Sequence, residues 1–203
     1  MVTGTQIVAK AKSYLGEHEV PMGSNTGPFV LECQHSTFLG GTHWPWCAGF
    51  ICKVAKDCKV PLAYNGAGAH DIADHHKPWV IPANAEPGMV LDVNEGSGHT
   101  CFIVRNNHAN HTFDTVDGNW GDKVSAVTTH NWAHARAIWK IPGVHYDSGP
   151  APKPPVTKKP AWVVTTGASG HKKVFRTKKG LIHYLQTHVF PNGITIKKRG
   201  KGK

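Results

Sequence analysis

The sequence predicts an α+β fold, with N-terminal helices packed on a central antiparallel β-sheet and a small basic module at the C-terminal end. Three observations predict it. Apolar residues recur at helical spacing early in the chain, five short β-branched or aromatic runs separated by turn residues follow between 88 and 142, and the charge changes sign past Asp147. With 39% of its 203 residues hydrophobic, the chain has enough apolar material for a core, which excludes a disordered class.

The first helix is read from "TQIVAKAKSYLG": Ile7, Val8, Ala11 and Leu15 fall on one face, Thr3 or Thr5 caps it, and Gly16 ends it. A second, short helix follows Thr26 with Pro28 near its first turn. The third is "WPWCAGFICKVAKDC", where Cys47, Phe50, Ile51, Val54, Ala55 and Cys58 form an apolar stripe while Lys53, Lys56 and Asp57 point away. Pro45 suits its first turn, because a missing N–H costs nothing there and its φ is already helical. The strands are "GMVLDV", "HTCFIVRN", "HTFDTV", "KVSAVTT" and "ARAIWKIP".

All thirteen acidic residues lie within 1–147 beside ten Lys/Arg, a net charge of −3; the remainder carries thirteen Lys/Arg and no acid, or +13. Between the two lies "DSGPAPKPPVTKKP", whose prolines favour an extended, solvated spacer. The predicted organisation is a larger domain at 1–146, a Pro/Lys-rich linker at 147–160 and a basic module at 161–203, in which "GLIHYLQTHVF" could form one amphipathic helix. The sequence contains neither the apolar run of a membrane span nor a secretory signal, so synthesis in the cytoplasm is expected. Five cysteines, Cys33, Cys47, Cys52, Cys58 and Cys101, are too few and too odd in number for a disulfide framework.

The chemistry centres on Cys47. In the first turn of its helix, unpaired backbone N–H groups and the helix dipole favour an anion, although a cysteine there can also simply fill a small apolar space. His99 opens the strand "HTCFIVRN" and alternates onto one face with Cys101 and Ile103, from which it could face the helix entrance. In "TVDGNWGD", Asp117 or Asn119 could fix the tautomer and orientation of that imidazole. Trp44, Trp46 and Trp120 flank these positions and are candidates for shaping a substrate groove.

Taken in order, "WPWCAGFICKVAKD", "EPGMVLDV", "GHTCFIV" and "TVDGNWGDKVS" resemble the CHAP family of cysteine, histidine-dependent amidohydrolases and peptidases, over roughly residues 5–142. The resemblance implies a papain-like fold, Cys47 as nucleophile, His99 as base and acid, and Asp117 with Asn119 in the polar support of the histidine. It implies an amidase or endopeptidase acting on bacterial peptidoglycan, without a cofactor or metal. Two departures stand out. Many members carry Glu where this chain has Asp117, which leaves open whether Asp117 or Asn119 touches His99. Where some relatives place a polar oxyanion donor before the cysteine, this chain has Trp46.

Together with the basic tail, this arrangement looks like a bacteriophage endolysin: a monomer made in the host cytoplasm, acting at the cell wall, its tail held by anionic envelope polymers rather than by a specific nucleic acid. Two rival readings stay open. One is a basic nucleic-acid- or polyanion-binding protein with a non-catalytic globular domain. The other is a zinc-dependent wall amidase using "HDIADHHK", where His70 and Asp74 are helically spaced; without a second ligand cluster, a solvated loop or cleft rim is the expectation for that segment.

Overall fold

In the computed structural model, the structure describes residues 1–146, 162–166, 172–175, 185 and 194–198. The chain divides into two compact units, Met1–Pro152 and Lys153–Lys203. The linker at 147–160 and the helix expected over "GLIHYLQTHVF" lie outside the described residues, apart from Leu185.

The first unit is α+β. Strand β1 (Val2–Thr3) leads into helix α1 (Gly4–Lys12), whose start is fixed by a capping box: the Gln6 N–H donates to the Thr3 hydroxyl, and the Thr3 N–H donates to the Gln6 side chain. Ile7, Val8 and Ala11 are buried as the spacing requires, but the helix stops at Lys12. Leu15, expected on that face, lies beyond the helix and is 43% exposed. Helix α2 (Pro28–Gln34) starts at its proline, and helix α3 (Cys47–Asp57) buries Cys47, Phe50, Ile51, Val54 and Ala55. Helix α4 (Ala69–Asp74) replaces the loop expected at "HDIADHHK", because Ile72 and Ala73 find a buried site.

Strands β2 (Val90–Val93), β3 (His99–Asn107), β4 (Thr112–Asp117), β5 (Ser125–Asn131) and β6 (Ala135–Trp139) form one antiparallel sheet in the order β5-β4-β3-β2-β6. Alternation divides its residues between two clusters. Val90, Phe102, Val116, Ala137 and Trp139 pack with the helices, whereas Leu91, Val93, Cys101, Ile103, Phe113 and Ile138 pack with Met89, Ala85 and Tyr146. Cys101 and Ile103 thus turn away from the helices. Strand β7 (Val144–His145) pairs in parallel with β1, a contact the sequence pattern did not announce. Among the described residues, no helix is long and apolar enough to cross a membrane.

In the second unit, β8 (Trp162–Thr166), β9 (Lys172–Phe175) and β10 (Ile194–Lys198) form an antiparallel sheet with β8 in the middle.

Phe50 joins the helical layer to the sheet. Its ring lies edge-on to Phe102 at 5.9 Å between centroids, and a Cβ placed at Gly118 would come within 2.4 Å of the Phe50 Cβ. Only a glycine lets the end of β4 press this closely on α3. Gly118→Ala is therefore expected to cost about 1–3 kcal/mol of stability, read from urea unfolding.

Candidate active site

The approach to Cys47 is held by buried polar groups. Gln34, with no exposure, donates from Nε2 to the carbonyls of Trp44 (2.7 Å) and Asn25 (2.9 Å). Glu19, 1% exposed, accepts the Trp46 indole N–H at 2.9 Å and the Asn25 N–H at 2.8 Å. These bonds satisfy a buried carboxylate and fix the residue before the cysteine. Helix α3 then begins at Cys47 itself, with Trp46 at the N-cap and Pro45 exposed outside the helix, not in its first turn. The Phe50 N–H closes the first turn on the Trp46 carbonyl at 2.8 Å, so the N–H groups of Cys47, Ala48 and Gly49 lie ahead of the intrahelical ladder. Cys47 is 7% exposed at this positive end of the helix.

His99 meets it from the first residue of β3. Gly98, with φ +100°, permits the turn into the strand, and a Cβ there would come within 2.7 Å of the His70 ring. The His99 Nε2–H donates to Asp117 Oδ1 at 3.0 Å, and Cys47 lies close enough to the ring to act on its pKa. With Nε2 committed to the carboxylate, Nδ1 is the nitrogen left for the thiol. Burial disfavours the charged imidazole, but Asp117 and Cys47 outweigh it and raise its pKa to about 9.

Asp117 has no exposure, and burial alone would raise its pKa. It is instead held well below the usual carboxylate range by His130, His99 and Thr115. His130 Nε2 lies 3.0 Å from Oδ1, and the Thr115 hydroxyl donates to Oδ2 at 2.6 Å. Asp117, not Asn119, is thus the partner of His99. Asn119 adopts φ +61° and donates from Nδ2 to Asn25 Oδ1 at 3.3 Å, tying the turn after β4 to the loop that leads toward Cys47.

The three tryptophans separate. Trp120, 37% exposed, has its ring 5.0 Å from the His99 ring and faces the site. Trp44 is half-buried and donates its indole N–H to Gly40 O at 2.8 Å. Trp46 was expected to touch substrate, but it has no exposure; its indole is spent on Glu19, and it packs edge-on against Phe29. It belongs to the support of α3.

The structure adds His130, on β5, which the sequence reading did not single out. His99, Cys101, Asp117 and His130 each bring one donor atom to within 4.8 Å of the others. Both imidazoles are already engaged with the Asp117 carboxylate, so these residues form a hydrogen-bonded cluster. Burial pushes the Cys101 thiol well above its ordinary range, as it does Cys33, and pushes Cys52 up to about 12, which makes these three inert. The histidines of the other candidate segment do not converge. His70 bonds Asp92 at 2.9 Å, Asp74 bonds Arg136 at 2.9 Å, and His76 stacks on Trp139 with centroids 4.2 Å apart.

No family model matches the chain, and no curated protein or solved structure matches it significantly.

Because the folded-state pKa of His99 lies above its ordinary 6.5, protonated His99 contributes stability that is full below about pH 6.5 and is lost as the pH rises through about 9. Urea unfolding of the wild type and His99→Gln is expected to show a stability gap at about pH 6 that narrows by about pH 10. A gap independent of pH would contradict the raised pKa.

Proposed function

We propose that this chain is a cysteine-dependent peptidoglycan hydrolase of the CHAP type, with a papain-like catalytic domain. The observation that carries the reading is a histidine bonded through Nε2 to a buried carboxylate and standing beside a cysteine at a helix entrance, close enough for the cysteine to raise its pKa. That arrangement supplies nucleophile, base and orienting group in sequence. Cleavage of the wall amide, by an amidase or endopeptidase route, rests on the family resemblance of the quoted segments.

In the proposed mechanism the proton of the Cys47 thiol already rests on His99 Nδ1, in keeping with the raised pKa of that ring, and the sulfur attacks the substrate carbonyl carbon. The oxyanion that forms faces the leading N–H groups of α3, where fixed dipoles stabilise it without reorganisation. With Trp46 buried, its side chain has no part in this step. His99 then passes its proton to the amine as the C–N bond breaks, leaving a thioester on Cys47. Water gives a proton to His99 and attacks the thioester; the acid is released as the Cys47 sulfur leaves, which restores the sulfur beside protonated His99. Asp117 keeps Nε2 protonated and oriented throughout. Trp120, exposed beside His99, is suited to lining the substrate groove.

The charge of +13 beyond Asp147 supports a second element of the proposal: the basic module binds anionic envelope polymers and concentrates the enzyme on its substrate. The same charge favours the rival reading as a nucleic-acid-binding protein, in which the first unit would have no turnover. For the combined architecture we propose an endolysin role, with synthesis in the host cytoplasm and action at the wall.

Mass spectrometry of purified peptidoglycan treated with the wild type and with Cys47→Ala, reductant and chelator present, decides the reading. New amine and carboxyl ends are expected from the wild type, with release reduced about 10³-fold or more in the folded variant. Equal release by both proteins would overturn the assignment of Cys47. No release by either, across several wall types, would favour the binding-protein reading.

A further inference from the structure

His130 raises a question of proton inventory. It is 1% exposed, and both of its ring nitrogens face carboxylate oxygens: Nε2 lies 3.0 Å from Asp117 Oδ1, and Nδ1 lies 3.1 Å from Glu95 Oε2. A neutral imidazole carries one N–H and an ionised carboxylate carries none, so a neutral ring would leave one of these contacts without a proton. Both are satisfied together when His130 is an imidazolium.

The charges then alternate along one chain of contacts: Glu95 negative, His130 positive, Asp117 negative, His99 at the far end beside Cys47. Glu95, on the loop after β2 and 25% exposed at its side chain, also accepts from His134 Nδ1 at 3.0 Å, which anchors the outer end near solvent. Among the described residues, the other groups placed around His130 include His99, with ring centroids 6.1 Å apart, Cys101 in the same cluster, and Trp120, edge-on at 5.2 Å.

We propose that His130 is a positioning residue of this site: as an imidazolium clamped between Glu95 and Asp117, it keeps Asp117 ionised and aimed at His99 while His99 gains and loses its proton. The proposal rests on the hydrolase reading above and names what that reading leaves unexplained. When His99 gives its proton to the leaving amine, Asp117 would become a buried charge with no cation beside it, a strongly unfavourable state. A permanent cation on the other side of Oδ1 removes that cost, so the carboxylate need neither take a proton nor turn away. His130 also repels a charge on His99 and shares the oxygen that attracts it, which keeps His99 from holding its proton too firmly to donate it.

Two arms test this on the full chain. Ring ¹⁵N NMR of the wild type, after metal analysis and in chelator, is expected to show both His130 nitrogens protonated at about pH 7, and Glu95→Gln is expected to move His130 titration to lower pH. In His130→Gln, which keeps one amide donor for Asp117 but no charge, the His99 titration midpoint is expected to move to higher pH. Its kcat is expected to fall about tenfold with KM little changed, a part of the roughly 10²–10⁴-fold that general acid–base catalysis supplies, and the alkaline limb of kcat/KM should move with the His99 midpoint. A merely structural role would change stability without moving that midpoint or limb. A His130 with one unprotonated nitrogen at about pH 7, a tightly bound stoichiometric metal in the purified protein, or an unmoved His99 midpoint in His130→Gln would overturn the proposal. If the wild type released no fragments, the hydrolase reading would fail separately, and with it the catalytic role; the NMR arm would still decide the charge of His130.

Discussion

The buried carboxylate of Asp117 is the constraint from which the site is built. With no access to water it must be satisfied entirely by protein donors, and it is: by the imidazoles of His99 and His130 and the hydroxyl of Thr115. Those donors come from β3, β5 and β4 itself, so the three neighbouring strands are bound to one anion. An ionised group in this position is tolerable only because its bonds are charge-assisted and complete.

Packing carries that constraint to Cys47. Phe50 lies three residues after Cys47 on α3; its ring meets Phe102, three residues after His99, while its Cβ approaches Gly118, one residue after Asp117. One buried aromatic therefore sets the spacing of Cys47, His99 and Asp117, and the approach of Cys47 to His99 is a consequence of core packing as much as of local geometry. From the other side, Glu19 and Gln34 hold Trp46, Trp44 and Asn25, and Asn119 bonds back to Asn25. The helix entrance and the end of β4 are thus joined through polar bonds as well as apolar contact. Preorganisation of this kind lowers the cost of reaching a reactive geometry.

Much of this was legible in the sequence. The apolar stripe from Cys47 to Ala55 and the five strand runs gave the helix and the central sheet, because helical spacing and β-branched runs act locally. The ordered set of Cys47, His99 and Asp117 was legible too, since each stands at the start or end of an element. His130 was not. In the strand register it lies opposite Phe113, four residues along β4 from Asp117; alternation puts those two positions on one face, but their separation along the strand gives no hint that the His130 ring reaches the carboxylate. Nor was the role of Trp46, since its burial depends on Glu19, far away in sequence. Helix α4 was missed because its short pattern is dominated by His and Asp, whose partners Asp92 and Arg136 lie on strands of the sheet. The end of α1 was overrun because Leu15 continues a periodic pattern past the point where the chain turns out to solvent.

The most direct test of the account is the rate at which iodoacetamide alkylates each cysteine of the native protein, read by peptide mass spectrometry in the wild type, His99→Gln and Asp117→Asn. If an Asp117-held His99 serves the thiol, Cys47 reacts first in the wild type, and its rate at about neutral pH falls roughly tenfold or more in both variants. A Cys47 rate unchanged by either substitution would contradict the account at its centre.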